Sequence, residues 1–136
     1  MYIITISGSS SGVGKTVLAR LLIAGLPGFA AIKVTNTGND VFTSVTDNPD
    51  TINEPGKDTA LMKEAGAHPV VWVRCGQRDM GDCLTYAFNL VGTPRGVIVE
   101  GNSPTRMPKP DAARLCRGPS WAVSFPSHRF WSFPSA

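Results

Sequence analysis

The sequence predicts an α/β fold with a mainly parallel sheet and helices on both faces of that sheet. Short, nearly continuous apolar runs, typical of strands buried on both faces, alternate with stretches of helical periodicity. This alternation favours βαβ units, which build parallel sheets. Gly and Pro residues bound most of these segments, and 136 residues are enough to bury one core.

Four strands and three helices are predicted along the chain. The strands are 2–7, 29–34, 69–73 and 96–100, and the helices are 15–26, 56–67 and 79–91. Residues 35–56 are polar and rich in turn-forming residues, so we expect a long loop there, either a functional loop or a surface insertion. The apolar face of the first helix is expected to consist of Val17, Leu18, Leu21, Leu22 and Leu26.

The turn between the first strand and the first helix carries the most informative motif. Residues 8–16 read Gly-Ser-Ser-Ser-Gly-Val-Gly-Lys-Thr. A glycine-rich turn followed by Lys-Thr and a helix is the context of a phosphate-binding P-loop. Ser9 stands where the usual pattern has glycine, and Gly8 lies one residue earlier, so this loop is a variant. The alternative interpretation is a Gly/Ser turn that joins strand to helix without binding anything.

In a P-loop, backbone N–H groups and the positive end of the following helix face phosphate oxygens. Lys15 is predicted to reach the β- and γ-phosphates as a catalytic residue, and the Thr16 hydroxyl to ligate Mg²⁺. Lys33 lies near the end of the second strand, where open α/β sheets bind ligands, although a solvated lysine is an equal alternative. The loop residues predicted to cradle the phosphates are Gly12, Val13 and Gly14.

An apolar strand that ends in a carboxylate occurs at residues 96–100, which read Gly-Val-Ile-Val-Glu. In P-loop proteins such a carboxylate holds Mg²⁺ or orients the attacking group. Glu100 is therefore predicted to be a catalytic and metal-binding residue, and an ordinary strand-end glutamate is the alternative. Asp58 opens the second helix, where a carboxylate is also favourable as a cap.

Composition limits the remaining function classes. The net charge is +3, but residues 103–136 contain five basic side chains and one acidic one, so the rest of the chain is near neutral and nucleic-acid binding is not expected. No apolar run approaches the ~20 residues of a membrane span, and no signal peptide is evident, so we expect a cytoplasmic protein. The three cysteines show no zinc-site or disulfide spacing, and we expect reduced thiols.

The composition changes near residue 103, which divides the chain into a domain at 1–110 and a tail at 111–136. The tail is rich in Arg, Pro, Ser and Trp and shows no clear periodicity, although 121–125 is compatible with a short strand. It is interpreted as a segment that packs through its aromatic residues or binds a partner. The alternatives are a contact with single-stranded nucleic acid and an out-of-frame continuation, with the fold truncated or atypical at its C-terminal end.

Several segments of residues 1–110 together resemble one family. They are Ser-Gly-Val-Gly-Lys-Thr (11–16), Ala-Ile-Lys (31–33), Pro-Gly-Lys-Asp-Thr (55–59), Glu-Ala-Gly-Ala (64–67) and Val-Glu-Gly (99–101). Their order and spacing are similar to those of the molybdopterin-guanine dinucleotide biosynthesis protein B (MobB) family of P-loop GTP-binding proteins. The histidine-containing segment that the family carries after the Ile-Lys of the second strand is Val-Thr-Asn-Thr (34–37) here.

The resemblance implies a P-loop NTPase fold and a homodimeric, GTP-binding adaptor with Mg²⁺ and weak GTPase activity. Such a protein assists attachment of a GMP moiety to molybdopterin, so molybdopterin and a molybdopterin guanylyltransferase are the implied partners. By the same resemblance, Asp58 and Lys33 join Lys15 and Thr16 in the nucleotide site, with Glu100 as the strand-end carboxylate.

A second family shares other features of the chain. The loop at 8–16, the segment Lys-Val-Thr-Asn-Thr-Gly at 33–38 and the pair Glu100-Gly101 resemble dethiobiotin synthetase, and the loop also resembles cobyrinate diamide synthase. This resemblance implies an ATP-dependent enzyme that activates a carboxylate or carbamate, with Lys33 contacting the acyl phosphate. A third alternative is a truncated P-loop domain with little or no nucleotide binding.

Overall fold

A computed structural model describes residues 1–8, 14–38, 42–101, 111–117, 120–124 and 130–134. From residue 112 onward, only the backbone is described. Within these residues the chain forms strands and helices in an α/β order. The strands are β1 (Tyr2–Gly8), β2 (Phe29–Asn36), β3 (Ser44–Thr46), β4 (Val70–Cys75), β5 (Gly96–Gly101), β6 (Ala112–Arg117), β7 (Ser120–Ser124) and β8 (Phe130–Pro134). The helices are α1 (Lys15–Gly25), α2 (Pro49–Ile52), α3 (Asp58–Glu64) and α4 (Met80–Val91).

The strands form one mixed sheet in the order β3-β4-β2-β5-β1-β6-β7-β8. The five neighbouring strands β4, β2, β5, β1 and β6 run parallel. Strand β3 pairs antiparallel with β4 at one edge, and β7 and β8 pair antiparallel at the other. The predicted α/β class and mainly parallel sheet are therefore confirmed. Because β1, β2 and β5 are parallel neighbours, their carboxyl ends meet at one edge of the sheet.

Helices cover both faces of the sheet, as predicted. On one face, α4 packs through Leu84 and Ala87 on a buried layer from β2, β4 and β5. On the other face, α1, α2 and α3 contribute Ile23, Ile52 and Met62 to a second buried layer. Burying apolar side chains on both faces explains why the central strands have nearly continuous apolar sequences.

The face of α1 that packs on the sheet differs from the prediction. Ala19 and Ile23 are fully or almost fully buried, whereas Val17 and Leu21 are 60% and 67% exposed. Lys15 lies on the buried side, one turn before Ala19, because the helix begins at the carboxyl edge of the sheet. The prediction that Val17 and Leu21 face inward is therefore wrong.

The predicted long loop at 35–56 contains two short elements within its described part. Strand β3 pairs antiparallel with β4, and the single-turn helix α2 begins at Pro49 after an Asn48 side chain that accepts a hydrogen bond from the Asp50 N–H at 2.9 Å. Ile52 is 2% exposed and anchors α2 in the core. Elements of three or four residues are too short to produce a periodic pattern, which is why the sequence predicted only a loop.

The segment predicted as an atypical tail contains strands β6, β7 and β8. Strand β6 pairs in parallel with β1, in a register that places Ile4 beside Ala112 and Gly8 beside Cys116. The strand expected at 121–125 is found at Ser120–Ser124, and residue 125 lies outside the described residues. The backbone of these strands thus extends the same sheet, and the proposed division at residue 110 stays a prediction.

Candidate functional site

The amino end of α1 lies at the carboxyl edge of the sheet. Gly14 precedes the helix with φ +90°, a left-handed conformation that glycine adopts readily. The first intrahelical hydrogen bond runs from the Leu18 N–H to the Gly14 carbonyl oxygen at 3.1 Å. The N–H groups of the first helical turn therefore lack acceptors within the helix, which makes this end suitable for an anion.

Lys33 and Glu100 are direct partners on neighbouring parallel strands. The register of β2 and β5 places them side by side, and the Lys33 ammonium donates to both Glu100 carboxylate oxygens, at 2.8 and 3.0 Å. The Glu100 side chain is completely buried, whereas that of Lys33 is 16% exposed. A buried carboxylate requires such a partner, because desolvating an unpaired charge costs several kcal/mol, on the order of the whole stability of a domain.

Asp58 joins this pair from the first position of α3. Its Oδ2 atom lies 2.8 Å from the Lys33 ammonium nitrogen, and its side chain is 42% exposed. The Thr16 hydroxyl lies beside the Asp58 carboxylate and helps to lower its pKa. Lys33 therefore bridges a buried carboxylate and a half-exposed one, and Asp58 connects this bridge to the first turn of α1.

Charge pairing changes the protonation behaviour of Lys33 and Asp58. Burial alone would lower the pKa of Lys33, but the charge of Glu100 and hydrogen bonds to both carboxylates raise that pKa above its ordinary value. Burial alone would raise the pKa of Asp58, but Lys33, the Thr16 hydrogen bond and the Lys15 charge lower it. The pairing interactions outweigh burial for both groups, so Lys33 and Asp58 stay charged at neutral pH.

These side chains border a single open pocket of about 460 Å³. Its wall brings together most of the residues that the sequence nominated, from α1, β2, α3 and β5. Lys15 is 7% exposed there, and the volume lies within the roughly 300–1,000 Å³ of small-molecule sites. The predicted site residues that line the pocket are Gly14, Lys15, Thr16, Lys33, Asp58 and Glu100.

Two predicted site residues are not described by the structure, and two residues that were not predicted line the pocket. Gly12 and Val13 lie outside the described residues. Thr35 and Asn36, at the end of β2, line the pocket although the sequence analysis did not select them. Their position just after Lys33 at the carboxyl end of a strand was the signal that could have identified them.

The pocket residues fit a magnesium ion by their chemistry. Mg²⁺ prefers oxygen ligands and commonly takes one or two carboxylates together with waters and substrate phosphates. The Thr16 hydroxyl and the Asp58 carboxylate are in contact at the pocket wall and supply such oxygens. Both oxygens of Glu100 are bonded to Lys33, and its metal-binding role stays a prediction.

The described residues were also compared with the expectations for metal sites, cysteines and membrane-spanning helices. Within the described ranges, no group of three or more His, Cys, Asp or Glu side chains is arranged to hold a metal ion. Cys75 and Cys83 are buried free thiols, while the side chain of Cys116 lies outside the described part. No helix among the described residues is long and apolar enough to cross a membrane.

Comparison with known proteins adds no assignment to this geometry. A scan against protein-family models and searches of curated proteins and of solved structures give no match. The function is therefore inferred from the pocket together with the sequence motifs.

Proposed function

We propose that this chain is a P-loop nucleotide-binding protein that takes GTP with Mg²⁺ and hydrolyses it weakly, as an adaptor of the MobB type in molybdenum cofactor biosynthesis. One observation carries the proposal: a lysine and a hydroxyl at the amino end of α1 share a pocket with the Lys33–Asp58–Glu100 ion-pair cluster. Cations and oxygen ligands that converge beside a helix N-terminus suit a triphosphate and its metal ion.

In this proposal each side chain has a distinct task. The Lys15 ammonium and the N–H groups at the start of α1 bind phosphate oxygens, and Thr16 and Asp58 hold Mg²⁺. Bound Mg²⁺ supplies neutralisation of the charge that develops on the phosphate oxygens. Lys33 lies at the same pocket wall, held by Glu100, and presents a positive charge beside the phosphate position.

The assignment to the MobB type rests on the sequence segments described above. Four of them, at 11–16, 31–33, 55–59 and 99–101, each contribute at least one residue to the pocket wall. The proposal includes the partners that the resemblance implies, which are molybdopterin, a molybdopterin guanylyltransferase and a second copy of the chain in a homodimer. It also includes a cytoplasmic location and no binding of nucleic acid.

A second candidate is an ATP-dependent enzyme that phosphorylates a carboxylate or carbamate, of the dethiobiotin synthetase type. The observation in its favour is that Lys33 borders both the main pocket and an adjoining cavity. An ammonium group between two binding spaces can contact both a phosphate and an acceptor. The third alternative, a truncated P-loop domain with little or no nucleotide binding, predicts that both triphosphates bind the pocket weakly or not at all.

The decisive experiment is equilibrium binding of GTP and ATP to the purified chain, with Mg²⁺ and with EDTA. Lys15→Ala should weaken triphosphate binding roughly a hundredfold, because it removes charge-assisted hydrogen bonds. The matched control is Lys63→Ala, which removes an exposed lysine from the last turn of α3 and should leave affinity unchanged. Asp58→Asn should reduce the Mg²⁺ dependence of binding more than it reduces binding in EDTA.

Each alternative gives a different result in this experiment. A Mg²⁺-dependent preference for GTP supports the adaptor proposal. A preference for ATP, together with phosphate release that depends on an added carboxylic acid, supports the ligase alternative. Binding of neither nucleotide refutes the adaptor and ligase proposals and supports the third alternative, whereas equal binding by wild type and Lys15→Ala refutes the P-loop assignment.

A further inference from the structure

A second cavity of about 320 Å³ adjoins the main pocket on the side of β4. The two share Lys33, Thr35 and Asp58, so the Lys33–Asp58–Glu100 ion-pair cluster forms part of the wall between them. The remaining wall comes from the segment that precedes α3, from the first turn of α3 and from one aromatic side chain on β4. We call this space, lined by Lys33, Thr35, Gly56, Lys57, Asp58, Thr59 and Trp72, the second pocket.

Trp72 provides a rigid apolar wall. Its indole Nε1–H donates to the Thr35 hydroxyl oxygen at 3.0 Å, and the Arg74 guanidinium carbon lies 4.3 Å from a ring centroid of the indole. Arg74 is in turn 5.0 Å from the Phe42 ring centroid. These contacts hold the indole in one orientation before any ligand arrives, and such preorganisation reduces the entropic cost of binding.

The charges around the second pocket favour an anion. Two ammonium groups, those of Lys33 and Lys57, line this pocket with only one carboxylate, that of Asp58, which pairs with Lys33. Lys57 is different, because its side chain is 47% exposed and its ion pair with Glu54 is long, at 3.8 Å. Exposed pairs of this kind contribute about 0–1 kcal/mol, so Lys57 can turn toward an anion in the pocket at little cost.

We propose that the second pocket binds a small organic anion with a planar, conjugated part, which lies against Trp72 while its carboxylate or phosphate pairs with Lys57. This binding needs no nucleotide and therefore goes beyond the function proposed above. The shared wall at Lys33 places such a ligand directly beside the main pocket. The Thr35 hydroxyl, which accepts a hydrogen bond from Trp72, has its own proton to donate to the ligand.

The test uses the full chain labelled with 5-fluorotryptophan and fluorine NMR, with the Trp72 signal assigned by Trp72→Phe. Benzoate is the anionic planar probe, and benzamide is its neutral counterpart. Benzoate should shift the Trp72 signal saturably, and Lys57→Met should weaken this binding roughly tenfold, the loss expected for one charge-assisted hydrogen bond. Lys63→Met, on the same helical segment but outside the pocket, should leave benzoate affinity unchanged.

Several results would overturn the proposal. Benzoate that leaves the Trp72 signal in place shows that the second pocket takes no such ligand. Equal affinities in wild type and Lys57→Met, or equal shifts with benzamide, show that the anion is not recognised there. Titration of the Lys15→Ala variant separates this site from the phosphate site, because benzoate binding in the second pocket should persist when triphosphate binding is lost.

Discussion

Replacing Lys33 with methionine tests how much the pairing of the buried Glu100 carboxylate contributes to stability. The change keeps most of the side-chain volume but removes the cation that donates at 2.8 and 3.0 Å to Glu100 and lies 2.8 Å from Asp58. Glu100 is completely buried, so loss of this partner leaves its carboxylate desolvated. The folded variant must therefore either keep an unpaired buried carboxylate or take up a proton.

The magnitude follows from these two choices. Removing one partner of a buried ion pair costs roughly 3–5 kcal/mol. Protonation limits this cost, because neutralising a carboxylate with an unfolded-state pKa of about 4.3 at pH 7 requires about 3.7 kcal/mol. We therefore expect Lys33→Met to lose about 3–4 kcal/mol of unfolding free energy at pH 7, a large share of the ~5–15 kcal/mol typical of a domain.

The loss should also depend on pH. Between pH 5 and 7 the folded variant carries one more proton than its unfolded chain, so its stability rises by about 1.4 kcal/mol for each unit by which the pH falls. In the wild type, the contribution of the Lys33–Asp58 pair to the unfolding free energy should hardly change with pH in this range. The pKa of Lys33 lies above its ordinary value of 10.5 and that of Asp58 below its ordinary value of 3.8, so neither group titrates there.

Urea unfolding followed by far-UV circular dichroism at pH 5, 6 and 7 measures these differences. Lys57→Met is the matched control, because its exposed pair at 3.8 Å should contribute less than about 1 kcal/mol at every pH. The double variant Lys33→Met with Glu100→Gln should lose its pH dependence between pH 5 and 7, since no buried carboxylate remains. A loss below about 1 kcal/mol at pH 7, or an equal loss at pH 5 and 7, would refute this reasoning.

Further predictions concern packing and thiol chemistry. A Cβ added at Gly101 would lie 2.7 Å from the Val34 carbonyl oxygen, so Gly101→Ala should lose about 1–3 kcal/mol in urea unfolding. Gly25→Ala meets nothing within 4 Å and should gain up to about 1 kcal/mol, and equal midpoints for both variants would contradict this. Burial and a hydrogen bond with Cys83 raise the pKa of Cys75 to about 12. Alkylation of the folded protein by iodoacetamide at pH 8 should therefore be roughly a thousandfold slower at Cys75 than alkylation of the protein unfolded in urea, as measured by mass spectrometry. Equal rates in the two conditions would show that this thiol is exposed.

The sequence was most informative where a pattern extends over many residues or where a motif has a fixed spacing. Apolar runs located β1, β2, β4 and β5, because strands buried on both faces need continuous apolar side chains. Short elements such as β3 and α2 escaped prediction, because three or four residues show no period. The inward face of α1 was misjudged at Val17 and Leu21, because apolar character alone does not decide which side of a helix meets the sheet.

By itself, the sequence determined the alternation of strands and helices and the start of the first helix at Lys15, since these depend on residues close together along the chain. Only the tertiary structure decided that Lys33 pairs with both Asp58 and Glu100. Lys33 and Glu100 are 67 residues apart, and it is the parallel register of β2 and β5 that brings them together. The partner of a buried charge is selected by strand order and register, which are long-range properties that no local pattern encodes.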